Sequence, residues 1–225
     1  DSELVGISVS FKAGEGFYIP IGHKDDSTPQ LAIDYVLDEL KPLLESNDKK
    51  FIGQNIKFDK NVLSKYGVDI SSIKNDTMMM SYVLDASATR HNLDALASFY
   101  LGYKTSTFEE VAGKGVKQVT FDQVPIEAAT NYAAEDADIT LRLYDELSPK
   151  LESIDSLNKL NEEIEIPLIE VLSNMERNGA ILNAKILNAQ SKDLESRIKK
   201  LEKKAYKIAG EEFNLGSTKQ LREIF

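Results

Sequence analysis

The chain contains no cysteine. Disulfides, thiolate metal sites and cysteine nucleophiles are therefore excluded, and a reducing cytoplasm is the expected setting. His23 and His91 are the only imidazoles, too few for a histidine-built zinc centre. No apolar run approaches the roughly 18 residues of a membrane span, so no membrane partner is expected, and nothing at the start reads as a secretory leader. Positive charge is scarce too. Lys and Arg number 27 against 37 Asp and Glu, a net charge of −10. Nearly all of that surplus falls in the first 150 residues. Such a domain binds phosphate backbones poorly unless cations mediate the contact.

What is present suits an ordinary globular protein: 225 residues, 42% of them hydrophobic, enough for one domain plus a smaller element. Leu4–Ser10 and Gly16–Ile21 read as two strands joined by a turn at Lys12–Glu15. Gln30–Leu44 reads as a helix, Lys50–Gly53 as a short strand, and Gln54–Gly67 as a helix stopped by glycine. Asp76 is placed to cap a helix over Met78–Leu84. Another helix is expected at Leu93–Leu101, then a polar connection over 104–123, and Pro125 opens a long helix. This order predicts an α/β fold with a mixed sheet flanked by helices. After Pro149 only helices are expected, at Glu162–Arg177 and Ala184–Ala209. The second has Leu194, Ile198 and Leu201 on one face, with Lys199, Lys203 and further lysines opposite. That row is either a solvated helix face or a surface that tracks phosphates.

Two acids break the pattern. On a helical wheel the Asn131–Tyr144 segment has an apolar stripe through Ala129, Tyr132, Ala133, Ile139 and Leu143, and Asp136 lies within it. Desolvating a lone carboxylate is costly, so Asp136 must be hydrogen-bonded, protonated or bound to a cation. Asp59 repeats the oddity, falling near Ile56, Val62, Leu63 and Tyr66, while Lys57, Lys60 and Asn61 point elsewhere. Two inward acids that met would need hard cations between them, and Mg²⁺ or Mn²⁺ match oxygen ligands. Pattern alone leaves open whether they meet.

The stretches GQNIKFD (Gly53–Asp59) and YAAEDAD (Tyr132–Asp138) resemble the second and third motifs of the DEDD exonucleases. With DTMMMSYVLDASATRHNLDALA, TFEEVAGKG, IPLIEVLSNMERNGAIL and AGEEFNLGSTKQLREIF, the whole chain resembles the bacterial family A DNA polymerases. The resemblance implies a ribonuclease H-like 3′→5′ exonuclease domain at 1–152, then the helical start of a polymerase thumb at 153–225. It implies two divalent metal ions, Mg²⁺ or Mn²⁺, with Asp59 and Asp136 as ligands and Tyr132 orienting the attacking water. It places Asn55, Arg90 and Phe108 on the single-stranded 3′ end, and Lys199 and Lys203 on primer–template duplex. The enzyme would be monomeric and would release nucleoside monophosphates while proofreading DNA synthesis.

The family's other two ligands belong to a D-x-E motif on a strand that precedes the equivalent of Leu4–Ser10. Asp1-Ser2-Glu3 mimics that motif but aligns with the turn after it, so the sequence reads as a piece of a longer chain. Two other readings stand beside a working nuclease: a catalytically inactive DNA-binding or scaffold piece, and an RNA-trimming relative.

Overall fold

The alternating residues after Leu4 form a hairpin. Strand β1 (Gly6–Lys12) pairs antiparallel with β2 (Glu15–Pro20), with Ile7 opposite Ile19 and Val9 opposite Phe17. The computed structural model describes residues 3–25 and 28–225, so Asp1 and Ser2 of the D-x-E look-alike lie outside the described residues. Helix α1 (Ile33–Leu44) begins three residues later than its apolar pattern suggests, after an Ala32 that offers no side-chain cap. Strand β3 (Phe51–Gly53) leads into helix α2 (Ile56–Ser64).

A strand that the sequence reading lacked follows. β4 (Ile73–Asp76) is only four residues long and pairs parallel with β3. So short a strand is specified by its neighbour more than by its own composition. The expected mixed sheet is accordingly present as two separate pairs, one antiparallel and one parallel. Asp76 caps helix α3 (Thr77–Leu84), accepting from the Met78 and Met79 amides. Helix α4 (Leu93–Leu96) runs on through a π-turn at Ala97–Leu101 and stops at Gly102, whose φ is +60°. The stretch over 104–123 is not a plain connection. It contains helix α5 (Phe108–Ala112), whose Thr107 and Glu110 form a reciprocal capping box, and tight turns at Gly115–Lys117 and Phe121–Gln123.

Helix α6 (Ile126–Glu152) is the spine, and both strand pairs pack against it. Its Ile139, Leu143, Leu147 and Leu151 form a core with Met80 and Leu96. The hairpin comes very close: a Cβ added to Gly16 would lie 2.1 Å from the Ala134 carbonyl oxygen. The Gly14 amide also donates to Asp138 Oδ1 at 2.5 Å.

Helix α7 (Asp155–Leu160), a π-turn at Asn161–Glu165 and helix α8 (Ile166–Asn178) continue the chain. Ile166 and Ile169 join Leu37, Ile56, Leu63, Val68 and Ile70 in a second core. The boundary expected at 152 therefore falls inside the first compact unit, which runs to Asn178. The second unit, Gly179–Phe225, holds helix α9 (Ala184–Ala209) and helix α10 (Thr218–Ile224). Asn183 caps α9 at its start, and Gly210, with φ +84°, ends it. Among the described residues no helix is long and apolar enough to cross a membrane.

Candidate active site

Asp136 sits one helical turn after Tyr132 on α6, so the two side chains share a face. The Tyr132 hydroxyl and the Asp136 carboxylate are close enough to shift each other's proton affinity. Asp136 is half-buried. Its pKa is pushed up from 3.8 to about 7, first by desolvation and then by the charges of Asp94 and Glu135, with the Tyr132 hydrogen bond opposing. Tyr132 is held far above its ordinary value, by burial first and then by the Asp136 charge. It stays protonated at any working pH, so it can orient a neighbour but cannot take its proton.

The rings around Tyr132 form a cluster. Phe121 lies 6.0 Å and Phe108 6.4 Å from it, and Phe121 also meets Tyr18 and His23. His23 is buried with its Nδ1 at 3.1 Å from the Val124 carbonyl, which can only accept, so Nε2 accepts from the Tyr18 hydroxyl at 2.8 Å. Phe108 is 37% exposed and offers part of its ring to solvent.

Asp59 belongs to a different neighbourhood. Water reaches its side chain, contrary to the sealed stripe that the wheel suggested. The surrounding protein nevertheless raises its pKa to about 7, mainly by desolvation, with the charge of Asp76 adding and its own backbone amide opposing. This describes a carboxylate recessed in the fold but open to solvent, where screening moderates the shift.

Its helix is fixed at the start by Asp76, which is fully buried. One Asp76 oxygen accepts from the Asn55 amide at 3.1 Å and from Met78 at 2.9 Å, and the other accepts from Ile56 at 2.8 Å. Asn55 holds φ of +60°, a left-handed conformation that asparagine tolerates better than most residues. Its side chain is exposed and does not cap the helix. Arg90 is exposed. In the second unit, Lys199 pairs with Glu195 at 2.5 Å, one turn away, and Lys203 is exposed.

The structure thus brings Tyr132, Asp136 and Phe108 together, but neither Asp59 nor Asp136 is among the charges that act on the other. Among the described residues no group of three or more acids or histidines could hold a metal ion. Lys60, which points away from the Asp59 face, is buried at 1% exposure. Glu135 and Asp138 serve as tethers: Glu135 accepts from the Tyr103 hydroxyl at 2.8 Å and the Ser106 amide at 2.7 Å.

The site elements are thus a recessed acid on α2 and, on the spine helix of an α/β fold, a half-buried acid one turn from a half-buried tyrosine. Residues 1–152 match the family described as 3′-5′ exonuclease, and the chain belongs to that family. Its relatives are DNA polymerase I proteins. That of Pseudomonas aeruginosa is 50% identical over 226 residues, which cover 99% of this chain and 25% of the relative. That of Borreliella burgdorferi is 39% identical over 223 residues, covering 99% and 24%. The chain spans about a quarter of the length of these curated relatives. Among solved structures, the POL domain of Pol1 from M. smegmatis, in complex with DNA primer-template and dNTP, shares the fold. The TM-score is 0.66 at 23% identity, over 93% of this chain and 32% of that one.

Proposed function

We propose that this chain is the proofreading 3′→5′ exodeoxyribonuclease region of a DNA polymerase I, with the start of the polymerase thumb after residue 152. The observation that carries the reading is the Tyr132–Asp136 pair: an acid desolvated on the spine helix, with no cationic partner and a permanently protonated hydroxyl beside it.

The donor chemistry suits Mg²⁺ or Mn²⁺, since among the described residues no lysine or arginine is a leading charge on Asp136 or Asp59, and both offer hard oxygens. Two carboxylates are only part of a two-metal shell. The remaining pair is assigned to the D-x-E motif of a strand that precedes β1 in the parent protein. When bound, the cations activate the attacking water and neutralise charge on the scissile phosphate. The chain's own residues do the rest. Asp136 and Asp59 would hold the cations, and the Tyr132 hydroxyl would turn its one proton from Asp136 to the attacking water. The partly exposed Phe108 ring gives the frayed 3′ base a stacking surface, with Asn55 and Arg90 on the strand. Lys203 and Lys199 contact duplex phosphates, a role suited to a relative of a polymerase bound to primer-template.

The test is degradation of 3′-labelled single-stranded DNA by the parent polymerase with Mg²⁺ or Mn²⁺. Asp136→Ala is expected to lower the rate by about three orders of magnitude. An Asp136→Ala enzyme as fast as the unaltered one refutes the reading. The rival reading is an inactive DNA-binding piece. That rival requires DNA binding that survives EDTA and no nuclease activity in the parent. Faster trimming of RNA than of DNA would instead support an RNA-processing relative.

A further inference from the structure

Helix α2, which carries Asp59, has nine residues and no side-chain cap. A helix this short does not hold itself, so tertiary partners must set its position. Asp76 fixes its start. Its flank away from Asp59 is held by α8, beyond the residues matched to the exonuclease family.

The contacts form a ladder between Lys57, Lys60 and Asn61 on α2 and Glu170, Ser173 and Glu176 on α8. Lys60 is buried, and its Nζ meets Glu170 Oε2 at 2.8 Å, the Ile70 carbonyl at 3.1 Å and the Asp69 carboxylate. Ser173, fully buried, donates to Asn61 Oδ1 at 2.6 Å, and Asn61 donates to Glu176 Oε2 at 2.8 Å. Lys57 pairs with the other Glu176 oxygen. Beneath the ladder Ile169 packs in one core with Ile56 and Leu63. A buried lysine and a buried serine are costly unless their geometry is kept, so the ladder allows α2 little freedom to slide or turn.

We infer that α8 is a positioning element of the nuclease site: Glu170, Ser173 and Glu176 grip the helix of Asp59 from behind and set where its carboxylate stands. The inference rests on the exonuclease reading. It makes the segment after residue 152 a working part of the nuclease, and it couples cation binding at Asp59 to the state of α8.

The experiment uses the full-length parent and the double variant Ser173→Ala/Glu176→Ala, which leaves Glu170 to keep Lys60 paired. Hydrogen exchange of the α2 amides is expected to quicken about tenfold, with α6 unchanged. The Mn²⁺ concentration for half-maximal DNA degradation is expected to rise about tenfold. Glu176→Gln, which keeps one acceptor oxygen but loses the charge that pairs with Lys57, is expected to fall between the unaltered protein and the double variant on both measures. Unchanged exchange in α2 overturns the inference. Faster exchange with an unchanged Mn²⁺ requirement also overturns it, since α8 would then only stabilise. No Mn²⁺-dependent degradation by the unaltered parent overturns the exonuclease reading and this inference with it.

Discussion

Replacing Asp136 by asparagine separates what this acid does for the fold from what it does for cations. Asn keeps an acceptor for the Tyr132 hydroxyl and nearly the same shape, but never ionises. Native Asp136 holds its proton more tightly than the unfolded chain does, with a pKa of about 7 against 3.8. Its contribution to stability is therefore complete below about pH 3.8 and is lost as the pH rises through 7. The full difference corresponds to about 4 kcal/mol, and residual hydration of a half-buried group reduces the expected effect to about 2 kcal/mol. Asp136→Asn should match the unaltered protein near pH 4 and exceed it at pH 8 in EDTA, by about 4–8 °C in melting temperature. Adding Mg²⁺ should raise the unaltered protein only, because a cation bound to the native state stabilises that state. From pH 6 to 8 the ionised fraction of Asp136 goes from about one-tenth to nine-tenths, so apparent cation affinity should rise about tenfold. Thermal unfolding by circular dichroism at pH 4, 6 and 8, with and without Mg²⁺, measures all of this. A stability gap that ignores pH, or a variant less stable at pH 8, would refute the account of a desolvated, unpaired carboxylate.

Three further outcomes are expected. Gly16→Ala forces a Cβ against the Ala134 carbonyl, which is backbone and cannot swing aside; a loss of about 2–3 kcal/mol should appear in denaturant titration. Asp76→Ala strips acceptors from the amides of Asn55, Ile56 and Met78; about 3 kcal/mol should be lost, with the start of α2 exchanging fastest. Lys203→Ala should lower the slope of log affinity for duplex DNA against log salt by about 0.9, whereas Lys199→Ala, already paired to Glu195, should change it less. Equal slopes for both variants would remove the lysine row from the interface.

The two acids were legible because a carboxylate on an apolar stripe violates a strong rule, and a rule broken twice on separate helices is informative. The capping role of Asp76 was legible for a similar reason: it precedes an apolar run and has a short side chain. β4 was not, because four residues with one exposed lysine carry little periodic signal. The burial of Lys60 was not legible, because a wheel gives only its direction around the helix. Its burial depends on Asp69, Glu170 and the Ile70 carbonyl, which converge from different parts of the chain. The tethering by Glu135 and Asp138 was not legible either, since an acid that accepts from a distant backbone amide looks identical in sequence to a solvated one.

These gaps have a common cause that bears on the site. A wheel orders residues around one helix, while catalysis depends on how helices are held relative to each other. On α6, Asp138 ties down the hairpin tip and Glu135 the 103–106 segment, so the outward acids brace the helix that presents Asp136. On α2, Lys60 and Asn61 do the same for Asp59 through α8. Each candidate ligand thus projects from a helix whose polar side is anchored to another part of the fold. The cost of desolvating Asp136 on so firmly held a helix is the stability that Asp136→Asn should recover at high pH, and that a bound cation should recover without mutation.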